Sequence, residues 1–222
     1  TEKMRKLTFT AIAAAVLMLV GSISCNQQEN GYFIWTFNTG GRILSHPVID
    51  EGLIYFGSDD GRVYALDVDS GEKKWEFTCR SEVRGSPTLR DSILYIASGN
   101  RIHALDACTG DELWSFGSDS TEGGTNLHPW DYHHGTPLPH DSVLFWGCGN
   151  GNLYCLDLSD GELYYTFPSI DSAPIRCTPV IEDKVLYFGD WNGRVYALDL
   201  LARDTIWTYK TYGDQPYPTY GQ

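Results

Sequence analysis

Two groups of side chains in this 222-residue chain have the types and spacing to do chemistry. The first lies in GSDSTEGGTNLHPWDYHHG (117–135), where His128, Asp131, His133 and His134 fall close together. Imidazole and carboxylate suit a transition metal, but a metal site needs convergence at fixed geometry, which spacing on an irregular loop does not supply. No metal is therefore expected, and His128, Asp131 and His133 stand only as a candidate loop site. The second group keeps a fixed place relative to four prolines. Three residues before Pro47, Pro87, Pro137 and Pro179 stand Leu44, Arg84, His134 and Arg176. On extended strands these share a side with His46, Ser86, Thr136 and Thr178, one residue before each proline. Arg84, His134 and Arg176 would then converge as a cationic cluster suited to an anionic ligand. The plainer reading, preferred on spacing alone, is that they are simply hydrated. Trp191, in Asp190-Trp-Asn-Gly, falls on a turn equivalent to those of Asp59-Asp60 and Asn150. Such a rim of aromatic and amide groups suits a peptide or sugar, although hairpin turns select these residues anyway. No Gly-x-Ser-x-Gly, phosphate loop or His-Glu-x-x-His is present, so no catalytic residue is assigned.

The elements that position these groups announce themselves by repetition. ALDVDSGEKKW (65–75), ALDACTGDELW (104–114), CLDLSDGELYY (155–165) and ALDLLARDTIW (197–207) share one frame. Each follows an aliphatic or aromatic β run, and each run follows one of the four prolines. Trp35, Trp75, Trp114, Tyr165 and Trp207 are separated by 40, 39, 51 and 42 residues. Periods near forty with short alternating strands mean propeller blades, which cannot bury both faces alone and must stack. The expected fold is all-β: a propeller of four-stranded antiparallel blades. In each frame an aspartate (Asp67, Asp106, Asp157, Asp199) can accept backbone N–H groups. A glycine follows four residues later (Gly71, Gly110, Gly161), replaced in unit four by Arg203, whose turn is expected to be looser.

The frame Ala-x-Asp-x-x-(Thr/Ser)-Gly-x-x-x-Trp resembles the tryptophan-docking repeat of pyrroloquinoline quinone (PQQ)-type propellers, over nearly all of 31–210. That family includes quinoprotein dehydrogenases and cofactor-free scaffolds such as the propeller lipoprotein of the outer-membrane β-barrel assembly machinery. The resemblance implies that the docking tryptophans are structural, and it identifies fold rather than chemistry. The dehydrogenases also carry adjacent cysteines and calcium-ligating groups. No vicinal cysteines occur here, so PQQ and calcium belong only to the alternative reading of a dehydrogenase fragment.

Residues 1–24 read as a secretory signal peptide of the lipoprotein type, separate from the fold. Arg5 and Lys6 precede a fourteen-residue apolar run, Leu7 to Val20, too short to span a membrane comfortably. Gly21-Ser22-Ile23-Ser24-Cys25 resembles a bacterial lipobox, which implies lipidation of Cys25, a tether over 25–30 and an outer-membrane site facing periplasm or surface. Residues 1–24 carry +2 of the formal −13, leaving −15 on the rest, so a nucleic-acid partner is not expected. The five remaining cysteines are irregularly spaced and form no disulfide framework.

GYFIWTF (31–37) aligns with the outermost strand of a blade whose other strands are not visible. Residues 31–222 therefore read as part of a longer propeller of seven or eight blades, with a four-bladed ring or a dimerising half-ring as alternatives. The expected function is a non-catalytic envelope lipoprotein whose propeller binds proteins or small ligands, held to the membrane by lipid alone. A glycan- or small-molecule-sensing propeller is the other alternative.

Overall fold

The computed structural model describes residues 34–117 and 135–211. Sixteen strands form four antiparallel meanders. Blade one is β1 (Val48–Asp50), β2 (Leu53–Ser58), β3 (Arg62–Asp67) and β4 (Lys73–Thr78). Blade two is β5 (Thr88–Arg90), β6 (Ile93–Ser98), β7 (Arg101–Asp106) and β8 (Glu112–Gly117). Blade three is β9 (Leu138–His140), β10 (Val143–Gly147), β11 (Asn152–Asp157) and β12 (Leu163–Pro168). Blade four is β13 (Val180–Glu182), β14 (Val185–Gly189), β15 (Arg194–Asp199) and β16 (Asp204–Lys210). The propeller family and the four-stranded antiparallel blades expected from the repeat are what is observed.

Local chemistry explains the meander. The first hairpin of a blade turns on two residues, and Glu51-Gly52, Asp91-Ser92 and Asp183-Lys184 all hold positive φ. That is the mirror-image turn whose twist matches paired strands. The third and fourth strands share one irregularity in every blade, a register shift at Ala65/Leu66, Ala104/Leu105, Cys155/Leu156 and Ala197/Leu198. This bulge precedes the aspartate turn and re-aims the outer strand, as bulges do.

The cores lie between blades, not within them. Tyr55, Val63, Ala65 and Trp75 of blade one pack with Leu94, Ile96, Leu105 and Ala107 of blade two. Equivalent clusters join blades two and three, and three and four. Inner strands are tied as well: the His46 amide donates to Ser86 Oγ at 2.9 Å, and Thr88 Oγ1 donates to the Pro137 carbonyl at 2.8 Å.

One buried polar pair interrupts this pattern. The third-strand position held by Tyr64, Tyr154 and Tyr196 is His103 in blade two, against the edge of the Phe77 ring at 5.3 Å. His103 Nδ1 lies 2.7 Å from Glu112 Oε1, while Nε2 is buried with no hydrogen-bond partner among the described residues. Burial pushes His103 below its ordinary value, outweighing the carboxylate that pulls it up. A histidine depressed in the folded state stabilises above its unfolded value of about 6.5, and loses that contribution as pH falls through it. Unfolding midpoints measured between pH 7 and 5 should therefore fall with pH. His103→Phe, which keeps the ring contact, should flatten that slope; an unchanged slope would assign it to other groups.

Candidate functional site

The aspartate turns receive the docking indoles. Asp67 Oδ1 accepts from the Ser70 amide at 2.9 Å, and Asp106 Oδ1 from the Cys108 and Thr109 amides at 2.9 Å. Asp157 takes the Ser159 amide at 2.7 Å and the Tyr164 hydroxyl. Hydrogen bonds from the Ser159 and Tyr164 hydroxyls hold its carboxyl down at about 2. Against each turn lies the indole of the preceding outer strand. Trp35, Trp75 and Trp114 donate Nε1–H to the carbonyls of Val68, Ala107 and Leu158, at 2.7, 2.9 and 3.2 Å. A Cβ at Gly71, Gly110 or Gly161 would stand 2.5–2.7 Å from these rings. The glycines also hold φ near +75°, so both space and backbone require them.

Unit four solves the same problem differently. Arg203 holds φ +55° and donates its amide to the Asp199 carbonyl at 2.8 Å, while Asp199 Oδ1 accepts from Leu201 and Ala202. The turn is closed like the others, correcting the expectation that losing the glycine loosens it. The aspartate, not the glycine, supplies the closing bonds. The smaller Tyr165 replaces tryptophan opposite, and the Arg203 guanidinium covers its ring at 4.9 Å.

A second set of turns, joining the second and third strands of each blade, forms the candidate site. Asp60 and Asp190 accept from the hydroxyls of Tyr64 and Tyr196, each at 2.7 Å, and the Asn150 amide donates to Tyr154 at 2.7 Å. Burial would raise Asp60, but the Tyr64 hydroxyl and Gly40 amide hold it below its ordinary value. These turn residues are engaged by their own hairpins. Asp59 is also occupied: Oδ2 lies 2.8 Å from Arg42, and Oδ1 lies 2.7 Å from Arg84 Nε.

Arg84 and Arg176 stand at equivalent positions with different surroundings. The Arg84 side chain is only 8% exposed and paired with Asp59, with Glu82 at 3.9 Å. In blade three Gly149 stands where blade one has Asp59. Arg176 passes near Gly149 and lies over the Trp191 ring at 5.4 Å. Burial pulls the Arg176 guanidinium below its ordinary value, although an arginine keeps its charge at neutral pH. Trp191 is 56% exposed at the tip of the blade-four hairpin, its amide anchored on the Pro174 carbonyl at 2.8 Å. The contacts thus place Arg84 in an ion pair and Arg176 on an aromatic, and no described contact joins them. Cys25, His128, Asp131, His133 and His134 lie outside the described residues. Among the described residues no group of three or more His, Cys, Asp or Glu is placed to hold a metal.

A family model described as outer membrane protein assembly factor BamB matches residues 20–129 and 98–219. The outer membrane protein assembly factor BamB of Moranella endobia is 27% identical over 142 residues, covering 61% of this chain and 37% of that protein. The chain therefore spans less than two-fifths of that relative. The crystal structure of BamB from Moraxella catarrhalis superposes with a TM-score of 0.65 at 21% identity, covering 78% of this chain and 55% of the other. Quinohemoprotein alcohol dehydrogenase from Comamonas testosteroni also matches, with a TM-score of 0.63 at 15% identity, over 77% of this chain and 35% of that one. At these identities the structural likenesses speak for the fold alone. The sequence match over most of the chain, together with the docked tryptophan turns, shows that the chain belongs to the PQQ-like β-propeller family of the outer membrane protein assembly factor BamB.

Proposed function

We propose that this chain is a non-catalytic propeller scaffold of the bacterial envelope, tethered to the outer membrane through lipidated Cys25, that holds protein partners at its hairpin rim. The carrying observation is Trp191, exposed at a hairpin tip with Arg176 against its ring. An exposed tryptophan stacked with arginine offers flat apolar area and charged donors together, the composition that dominates protein-binding hot spots. Family membership supports the scaffold role, since the matched family is described as an assembly factor. The lipobox resemblance of 21–25 supports the tether.

Cross-linking of envelopes followed by affinity capture of the full chain should recover envelope proteins. Trp191→Ala and Arg176→Ala should each reduce that recovery about tenfold or more. Recovery unchanged in both variants would remove the rim from the proposal. Cys25→Ser should abolish incorporation of labelled fatty acid and release the chain from the membrane fraction; continued labelling would remove the anchor.

A further inference from the structure

In blades one, three and four the third-strand ring is a tyrosine whose hydroxyl bonds to its own hairpin: Tyr64 to Asp60, Tyr154 to Asn150 and Tyr196 to Asp190, each at 2.7 Å. Blade two departs from this in two linked ways. Its hairpin is shorter, with Gly99 and Asn100 alone between β6 and β7, and Asn100 accepts from the Cys148 thiol of blade three at 3.4 Å. The ring below it is His103, which turns instead to Glu112, 2.7 Å from Nδ1.

That contact fixes the tautomer. A carboxylate only accepts, so the proton facing Glu112 sits on Nδ1 and the basic nitrogen is Nε2. His103 is 4% exposed, and its Nε2 has no hydrogen-bond partner among the described residues. A proton added there creates a buried donor with nothing described to accept it. The charged groups acting on the ring are Glu112 on β8, which favours the imidazolium, and Arg101 on β7 and Arg80 after β4, which oppose it. β6 places apolar Ile96 opposite His103, and blade one presents the edge of the Phe77 ring at 5.3 Å with the Cys79 thiol in the same junction.

We propose that His103 makes the junction between blades one and two a proton-operated latch. With Nε2 bare, the ring seats against Phe77 and the junction is closed. A proton on Nε2 gains its acceptor only when water enters, so acid favours a locally opened junction. Burial lowers the closed junction's affinity for that proton. Closure is therefore favoured above the ordinary histidine value of about 6.5 and weakens as pH falls through it. The equivalent contact between blades two and three is Phe116 on Tyr154, so the imidazole belongs to one junction and not the other. Opening also reaches the hairpin rim. Ser98 Oγ donates to the Ser81 carbonyl at 2.9 Å and Arg84 pairs with Asp59 at 2.7 Å, both tying the crossover 79–84 to its flanking blades.

Three buried cysteines report on the junctions in place: Cys79 between blades one and two, Cys148 between two and three, and Cys155 between three and four. The chain is labelled with dithiodipyridine, which attacks thiols even in mild acid. Each site's rate is read by peptide mass spectrometry, relative to the urea-unfolded chain at the same pH. From about pH 7.5 to about pH 5.5, labelling of Cys79 should rise about tenfold, the factor one titrating histidine supplies, and that of Cys148 and Cys155 less than about twofold. His103→Phe and His103→Gln, neither of which titrates, should both abolish the rise at Cys79. An unchanged Cys79 rate would overturn the inference. So would an equal rise at all three cysteines, which is whole-chain unfolding, or a rise that survives in the variants. Should His103→Phe fail to fold, His103→Gln decides alone.

Discussion

Gly110→Ala is expected to lower stability by about 3 kcal/mol, the sum of positive-φ strain and overpacking. An alanine Cβ at Gly110 would meet the Trp75 ring at 2.7 Å, and the turn holds φ +78°. The indole cannot retreat, because its Nε1–H is held by the Ala107 carbonyl in the same turn and its far side rests on Tyr55. Blade four contains nature's own compensated version, since Arg203 holds positive φ opposite Tyr165 rather than tryptophan. The steric part should thus depend on the partner ring while the backbone part should not. In a double-mutant cycle, Gly110→Ala with Trp75→Tyr should cost less than the two changes added, by about 1 kcal/mol or more. Urea unfolding of the four proteins checks this. Strict additivity would mean that the glycine is required by φ alone.

The repeat made the fold legible, because each of its residues has one job the physics can name. Aspartate closes a turn, glycine admits an indole, and tryptophan spans to the next blade. Those jobs are local or separated by one period, so a single sequence displays them. The hairpin rim was less legible. Arg84 and Arg176 occupy the same register, and nothing within three residues of either foretells that one meets Asp59 and the other Trp191. The signal existed in the hairpins of the preceding blades, where Asp59 aligns with Gly149, but reading it requires knowing that a loop reaches back one blade. His103 was hidden for a related reason. Its position is a tyrosine elsewhere, and its partner Glu112 sits across a bulge that shifts the register. The Arg203 turn misled because the glycine was credited with closure that Asp199 provides.

The docking tryptophans look identical in sequence and should differ several-fold in energetic weight. Trp75→Ala removes a ring that is nearly fully buried between blades one and two, among Val63, Ala65, Leu94 and Leu105. It also leaves the Ala107 carbonyl without its donor. A cavity of indole size in such a core costs about 3–5 kcal/mol, and the unsatisfied carbonyl lies between sheets that cannot close over the gap. Trp207→Ala removes a ring already half in water, lying against Tyr187, with no acceptor among the described residues. Its cost should be about 1 kcal/mol or less. In a stacked array each blade is stabilised by its neighbours. Trp75→Ala should therefore also uncouple the ends, broadening the unfolding transition, while Trp207→Ala should leave its shape unchanged. Equal losses in the two variants would show that blade four's outer face is covered within a single chain.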